Sequence, residues 1–277
     1  MVDVQALSPA LRLDANGVWY GSDTQTVSYP SDGNAVCFAV EDGSFWFKHR
    51  NECIVAVVKR LPPKAHDAIF DIGGGNGFVS MGLERAGFEV VLLEPGKTGA
   101  ANAKKREVRH VICATADTAG LPPGSVGAVG LFDVIEHIAD DLSFLKSIRA
   151  LMRPGGRVYV TVPAYAGLWS EEDDAAGHFR RYCLATINRV LEVAGFKIDF
   201  SSYIFRPLPV PIFFLRTLPY RFGLLRSGSK RQASNHAADG RTANTVLSAL
   251  LRAEVEHLAS GRSMRFGGSC LVVATAG

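Results

Sequence analysis

The segment IFDIGGGNGFVSMGLERAG, residues 69–87, constrains this chain more than any other. A short apolar run over 68–72 carries Asp71 near its end, glycines follow at 73, 75 and 77, and a helical pattern runs over 78–86 to stop at Gly87. That is a strand, a glycine turn and a helix. Glycines let the backbone turn sharply and let a ligand lie against bare main chain. The helix start then offers unpaired N–H groups to a polar or anionic group. The spacing D-x-G-x-G-x-G is neither the G-x-G-x-x-G of pyrophosphate cradles nor a loop ending in Gly-Lys-Ser/Thr, and a nucleoside without a diphosphate fits it better.

The pattern repeats downstream, with strands at 89–93, 108–114, 128–133 and 157–162 and helices at 100–106 and 139–151. Leu142, Leu145, Ile148 and Leu151 share one face of the last helix. Strand and helix in alternation require parallel pairing with helices on both faces, so the fold class is a Rossmann-like, doubly wound α/β sheet. Hydrophobic residues make up 47% of the 277, enough for a core and too many for general disorder.

Residues 1–60 read as an N-terminal extension ending in a lid helix, and 61–277 as the main domain with an insert at 206–265. Over 1–44, rich in Gly, Ser, Asp and Asn with aromatics at Trp19, Tyr20, Tyr29 and Phe38, the expectation is irregular or hairpin-like structure. A helix follows from Phe45 to the stop at Pro62-Pro63, and places Ile54, Val55, Val57, Val58 and Leu61 on one side. Towards the C-terminus a helix at 186–194 and strands at 196–205 and 268–275 are expected. Between those strands, 206–241 holds seven basic residues against Asp239, and 242–259 has Val246, Leu250, Leu251, Val255 and Leu258 at helical spacing.

The overall charge of +3 is too balanced to imply a nucleic-acid binder by bulk charge, and none is expected as partner. Five scattered cysteines fit a reducing cytosol and argue against a structural zinc, so no metal is expected. No signal-peptide pattern or membrane span is read, and the expected location is cytoplasmic. The basic and apolar residues of 206–231 suit either contact with an anionic membrane surface or packing over the active site or in a homodimer.

Glu94 closes the apolar run VVLLE, where a carboxylate can accept both hydroxyl protons of a ribose or simply open a turn before Pro95. Asp117, after VICATA, either accepts from an adenine amino group or forms a turn. With DIGGGNG, LFDVIEHI (131–138) and the Leu-x-Arg-Pro-Gly-Gly turn (151–156), these residues resemble the class I S-adenosylmethionine-dependent methyltransferases. The resemblance implies a seven-stranded sheet whose last strand is antiparallel, S-adenosyl-L-methionine as cofactor, and a small-molecule acceptor. It also implies that Asp71, Gly73, Gly75 and Gly77 form the cofactor loop, that Glu94 holds the ribose, that Asp117 or Ala116 meets adenine, and that Asp133 lines the pocket near the methionine part.

The run VPAYAGLWSEEDDAAGHFRRY follows the last parallel strand, at the carboxyl end where open α/β sheets keep ligands. It resembles a subgroup of small-molecule methyltransferases. His178 is the first candidate base for an acceptor hydroxyl, because an unperturbed imidazole titrates near neutrality, and His137 is the second. Each can instead be structural. Arg180 and Arg181 either grip a substrate carboxylate or phosphate or close the loop on the acids 171–174. Trp169 and Tyr182 are pocket walls or core aromatics. Phe45, Trp46 and Phe47 cover adenine or substrate, or anchor the extension, and His49 and Arg50 are further contact candidates. Methyl transfer to oxygen or nitrogen of a sugar-containing or other metabolite leads. The alternatives are a nicotinamide-dependent oxidoreductase and a non-catalytic nucleoside-binding protein of the same fold.

Overall fold

A computed structural model describes residues 2–21, 33–223 and 241–277 of the chain. Tyr29, the polar stretch 227–239 and the later part of the 206–231 membrane expectation lie outside the described residues.

The N-terminal extension is more ordered than irregular. After a single helical turn α1 (Val4–Leu7), β1 (Arg12–Leu13) and β2 (Val18–Tyr20) pair as an antiparallel ribbon. Asp14 closes it by accepting from the backbone N–H of Asn16 (2.9 Å) and Val18 (2.8 Å). Two helices follow, α2 (Gly33–Glu41) and α3 (Phe45–Arg60), the second capped by Ser44.

Alternation then begins: β3 (Ile69–Ile72), α4 (Phe78–Arg85), β4 (Val90–Leu93), α5 (Lys97–Lys105), β5 (His110–Cys113), β6 (Val126–Phe132), α6 (Asp141–Leu151) and β7 (Met152–Pro163). A short helix α7 (Glu171–Ala176) and α8 (Leu184–Val193) lead to β8 (Phe196–Ile204). Helical turns α9 (Pro209–Ile212) and α10 (Leu218–Arg221) flank a π turn over Phe213–Thr217, and α11 (Arg241–Ala259) precedes β9 (Ser269–Ala276). Pro209 and Pro211 in α9 and Pro219 in α10 sit in first helical turns, where no N–H is required.

The sheet runs β1-β2-β5-β4-β3-β6-β7-β9-β8, parallel from β2 through β7, with β9 antiparallel between β7 and β8. It has nine strands where seven were expected. The two additional strands are the N-terminal ribbon, whose β2 pairs in parallel with β5 through Val18 and Val111 and so covers what would be an open edge. The strand expected at 157–162 also starts earlier, at Met152, and the Pro154-Gly155-Gly156 turn forms an irregularity inside β7.

Side chains of successive strand residues go to opposite faces. Phe70, Val91, Val129, Val158 and Val272 pack on one side, together with Leu145 and Ile148 of α6 and Ile187 and Leu191 of α8. Ile69, Val90, Ala128, Tyr159 and Val273 pack on the other with Ile54, Val57 and Val58 of α3 and Leu251 and Leu258 of α11. Both faces are therefore dry, which is why the strands read as unbroken apolar runs. Among the described residues no helix is long and apolar enough to cross a membrane.

Candidate active site

The site begins where β3 ends. Gly73, Gly75 and Gly77 all take positive φ, at 73°, 53° and 75°. A Cβ on Gly73 would stand 2.8 Å from Val134 Cγ2, so both sterics and conformation demand glycine there. A Cβ on Gly75 would meet only Asn34 Oδ1 at 3.6 Å, which leaves one side of the loop open to a ligand. Asp71 lies beneath this loop. Its carboxylate accepts from Ser80 Oγ at 2.6 Å, and burial pushes it up to about 6 against the opposing effects of Ser80 and the Arg50 charge. It supports the loop from below.

Glu94, at the end of β4, ties this loop to the next. One oxygen accepts from Gly75 N–H at 2.9 Å and the other from Gly96 N–H at 2.7 Å. Burial raises its pKa, and those two backbone donors, with Asn34, oppose the rise. The oxygen that accepts from Gly75 keeps a further lone pair for a hydroxyl, while the other also accepts from Asn34. Ala116 is buried and Asp117 exposed at the far end of the same edge.

Two helices roof the loop. From α2, Asn34 donates to Glu94 at 3.4 Å and accepts from Asn76 Nδ2 on its backbone oxygen at 2.9 Å. Arg106 pairs with Glu41 at 3.0 Å and with Asp42 at 2.7 Å, which seats α2 against α5. From α3, Arg50 pairs with Asp133 Oδ2 while its guanidinium lies over the ring of Trp46 at 4.8 Å. Thr161 Oγ1 donates to the other Asp133 oxygen at 2.9 Å, and Asp133 itself sits at φ 57°. Trp46 stacks on Phe205 at 5.2 Å, so the expected lid is one layer of a stacked wall. His49 turns the other way, buried with Glu254.

At the carboxyl end of β6 and β7 the structure joins His178 and Arg181 through a residue that spacing did not single out. Asp173, 1% exposed, accepts from His178 Nδ1 at 2.8 Å, from Arg181 Nε at 2.7 Å and Nη2 at 2.9 Å, and from Ser170 N–H at 2.8 Å. Burial alone would raise its carboxyl, but the His178 and Arg181 bonds overcome that and hold it at about 2. With Nδ1 donating to Asp173, the assigned tautomer leaves the lone pair on Nε2. His137 packs edge-on to His178 at 4.7 Å, and burial, then the neighbouring His178, lowers it to about 4. Glu136 is buried, its Oε2 has no hydrogen-bond partner among the described residues, and burial and the Asp133 charge raise its pKa strongly.

The polar heads of the other expected substrate contacts meet partners inside the protein. Arg180 pairs with Asp141 at 2.7 Å, Tyr182 OH donates to the same carboxylate at 2.8 Å, Trp169 Nε1 donates to Asp174 at 3.0 Å, and Arg181 is bidentate on Asp173. Loop closure is the role their geometry displays. Two sets of side chains among the described residues lie within 4.8 Å of one another, as ligands of one divalent cation do: His49, Cys53 and Glu254, and Glu136, His137 and His178. The first set is held by hydrogen bonds, since Glu254 already accepts from Phe205 N–H at 2.6 Å, Arg206 N–H at 2.9 Å and His49 at 2.8 Å.

Residues 46–199 match the methyltransferase domain family. A probable S-adenosylmethionine-dependent methyltransferase of Mycolicibacterium smegmatis is 26% identical over 183 residues, 64% of this chain and 68% of that protein. A ubiquinone biosynthesis O-methyltransferase of Aeromonas salmonicida is 30% identical over 99 residues, 34% of this chain and 42% of that protein. Against these ubiquinone biosynthesis enzymes the chain thus spans about half of their length or less. Among solved structures, Haemonchus contortus phosphoethanolamine N-methyltransferase 2 in complex with S-adenosyl-L-methionine shares the fold at a TM-score of 0.53 and 18% identity, over 90% of this chain and 58% of that one.

Proposed function

Since the chain belongs to the methyltransferase domain family, and so to the S-adenosyl-L-methionine-dependent methyltransferases, we propose that it methylates a hydroxyl oxygen of a small-molecule acceptor. The observation that carries this reading is the buried Asp173 carboxylate that fixes His178 beside His137 at the carboxyl end of the parallel strands. Likeness to an O-methyltransferase supports oxygen over nitrogen.

When bound, S-adenosyl-L-methionine supplies an electrophilic methyl group. The residues present fit it: the loop is open at Gly75, and the Glu94 oxygen bound to Gly75 N–H keeps a lone pair for a ribose hydroxyl. Arg50 and Trp46 close the mouth from α3, and Asp133, held by Arg50 and Thr161, fixes the floor. A hydroxyl is a weak nucleophile at neutral pH, so a base that takes its proton as the new bond forms lowers the barrier. His178 fills that role through Nε2. Asp173 orients the ring and stabilises the imidazolium that results. His137, lowered to about 4, stays neutral and serves as a neighbour rather than the base.

The test is a panel of phenols and amines incubated with the full chain and S-adenosyl-L-methionine, with S-adenosylhomocysteine release as readout. Turnover of phenols is expected, with kcat about 10²–10⁴-fold lower in His178→Ala and cofactor affinity unchanged by calorimetry. Turnover of amines alone would overturn the oxygen assignment. A His178→Ala kcat within a factor of about two would remove the base.

A further inference from the structure

The helical segment over residues 209–221 lies beyond the family-matched span, and its polar side chains all bind one stretch of the main domain. Thr217 Oγ1 donates to Leu168 O at 3.0 Å, Arg221 to Gly167 O at 3.1 Å, Arg216 to Glu172 at 2.5 Å, and Tyr220 OH to Asp174. These four links clamp the segment over residues 167–174, the stretch whose Asp173 holds His178.

The clamp leaves a cavity of about 410 Å³ between the two, with Tyr165, Leu168, Pro209, Val210, Phe213 and Phe266 in its walls. It is a groove open to solvent along Val210 and Phe214, and small-molecule sites begin at about 300 Å³. No side chain in those walls is charged, so a polar ligand would lose its water without replacement. The inner wall touches the reaction end of the sheet. Tyr165 stacks on Tyr203 at 5.0 Å, and its N–H donates to Tyr182 O at 2.6 Å. Ala164, just before it, accepts from Arg181 at 3.2 Å, and Arg181 grips Asp173. Outward, the walls continue into exposed Val210 and Phe214.

Resting on the acceptor reading above, we infer that this cavity is a subsite for a hydrocarbon chain carried by the acceptor, whose hydroxyl it presents to His178. A concave, uncharged groove joined at its inner end to the catalytic segment suits a tail attached to the reacting molecule. Each methylene buried there tightens binding about fourfold.

The test uses full-length protein, a homologous series of 4-alkylcatechols, and dansyl-undecanoic acid as a fluorescent chain probe, with Val210→Trp to fill the groove from its exposed wall. KM is expected to fall about fourfold per added methylene until the groove is full, then level off. In Val210→Trp the dependence flattens, while kcat and the KM for unsubstituted catechol hold. Saturable probe binding to the wild type, lost in Val210→Trp, supports the subsite even if no catechol turns over, and in that case only the acceptor reading falls. A KM indifferent to chain length, or a slope or probe affinity unchanged in Val210→Trp, overturns the inference. So does a wild type that fails to bind the probe yet sediments with phosphatidylglycerol vesicles, because the face would then be a lipid-surface contact.

Discussion

Asp173→Asn tests the structure at the carboxylate that joins His178 to Arg181. The native carboxylate is held at about 2, against 3.8 in an unfolded chain. Its folded pKa is depressed, so its stabilisation is complete above 3.8 and is lost as pH falls through 2. The difference amounts to about 2.4 kcal/mol at neutral pH. The variant also leaves the Arg181 guanidinium, 11% exposed, without a carboxylate. Together these effects predict a loss of about 3–5 kcal/mol at pH 7. By pH 3 the wild type has itself given up about 1 kcal/mol of the Asp173 contribution, so the gap between the two proteins narrows by that amount. Urea unfolding of both at pH 7 and pH 3 reads it directly, and groups common to both proteins cancel in the difference. A gap that stays constant with pH, or a loss below about 1 kcal/mol at pH 7, would show that Asp173 is not the ionised hub described.

Asp71 has the opposite sign. Raised to about 6 by burial, it favours the fold most below 3.8 and loses that advantage as pH rises through 6, so Asp71→Asn should gain up to about 3 kcal/mol on the wild type between pH 4 and pH 8, as unfolding midpoints will show. Gly75→Arg forces a side chain to φ 53° and into the open side of the loop. Calorimetric cofactor binding should vanish, with a stability cost of only about 1–2 kcal/mol. Glu94→Ala strips the acceptor from two loop N–H groups and should weaken cofactor binding at least about tenfold in the same titration. Glu254→Ala orphans His49 and two backbone donors. Unfolding should show a loss of about 3 kcal/mol, while cofactor affinity holds.

What the sequence displays depends on how local the determinant is. The β3-loop-α4 unit is legible because strand, glycines and helix are contiguous, and Glu94 is legible because a single carboxylate closes an apolar run. The ribbon β1–β2 is legible only as a hairpin-like expectation, because two- and three-residue strands carry too little alternation to place, although Asp14 and Gly17 mark its turn. Four consecutive acids at 171–174 conceal which one turns inward. The phase of α7 decides it, and the Ser170-x-x-Asp173 capping box is the signal that identifies it. Asn34 had no such signal. It reaches Glu94 from sixty positions away through the docking of α2, and nothing in its neighbourhood marks that contact. For Arg180, Arg181 and Tyr182, composition gives the attraction to acids but not whether those acids belong to the protein or to a ligand.

The excursion between β8 and β9 starts and ends almost at one point: Gly268 N–H donates to Phe205 O at 3.2 Å, and the two strands on either side are direct neighbours in the sheet. The segment is therefore an insertion at the end of a hairpin, and its α11 returns Leu251 and Leu258 to the sheet face. Since closing a loop grows costlier only with the logarithm of its length, the length of the insertion adds little to the cost of pairing β8 with β9. One condition travels with any replacement. It must bring a carboxylate to the place of Glu254, where His49 and the backbone of Phe205 and Arg206 are poised to receive it.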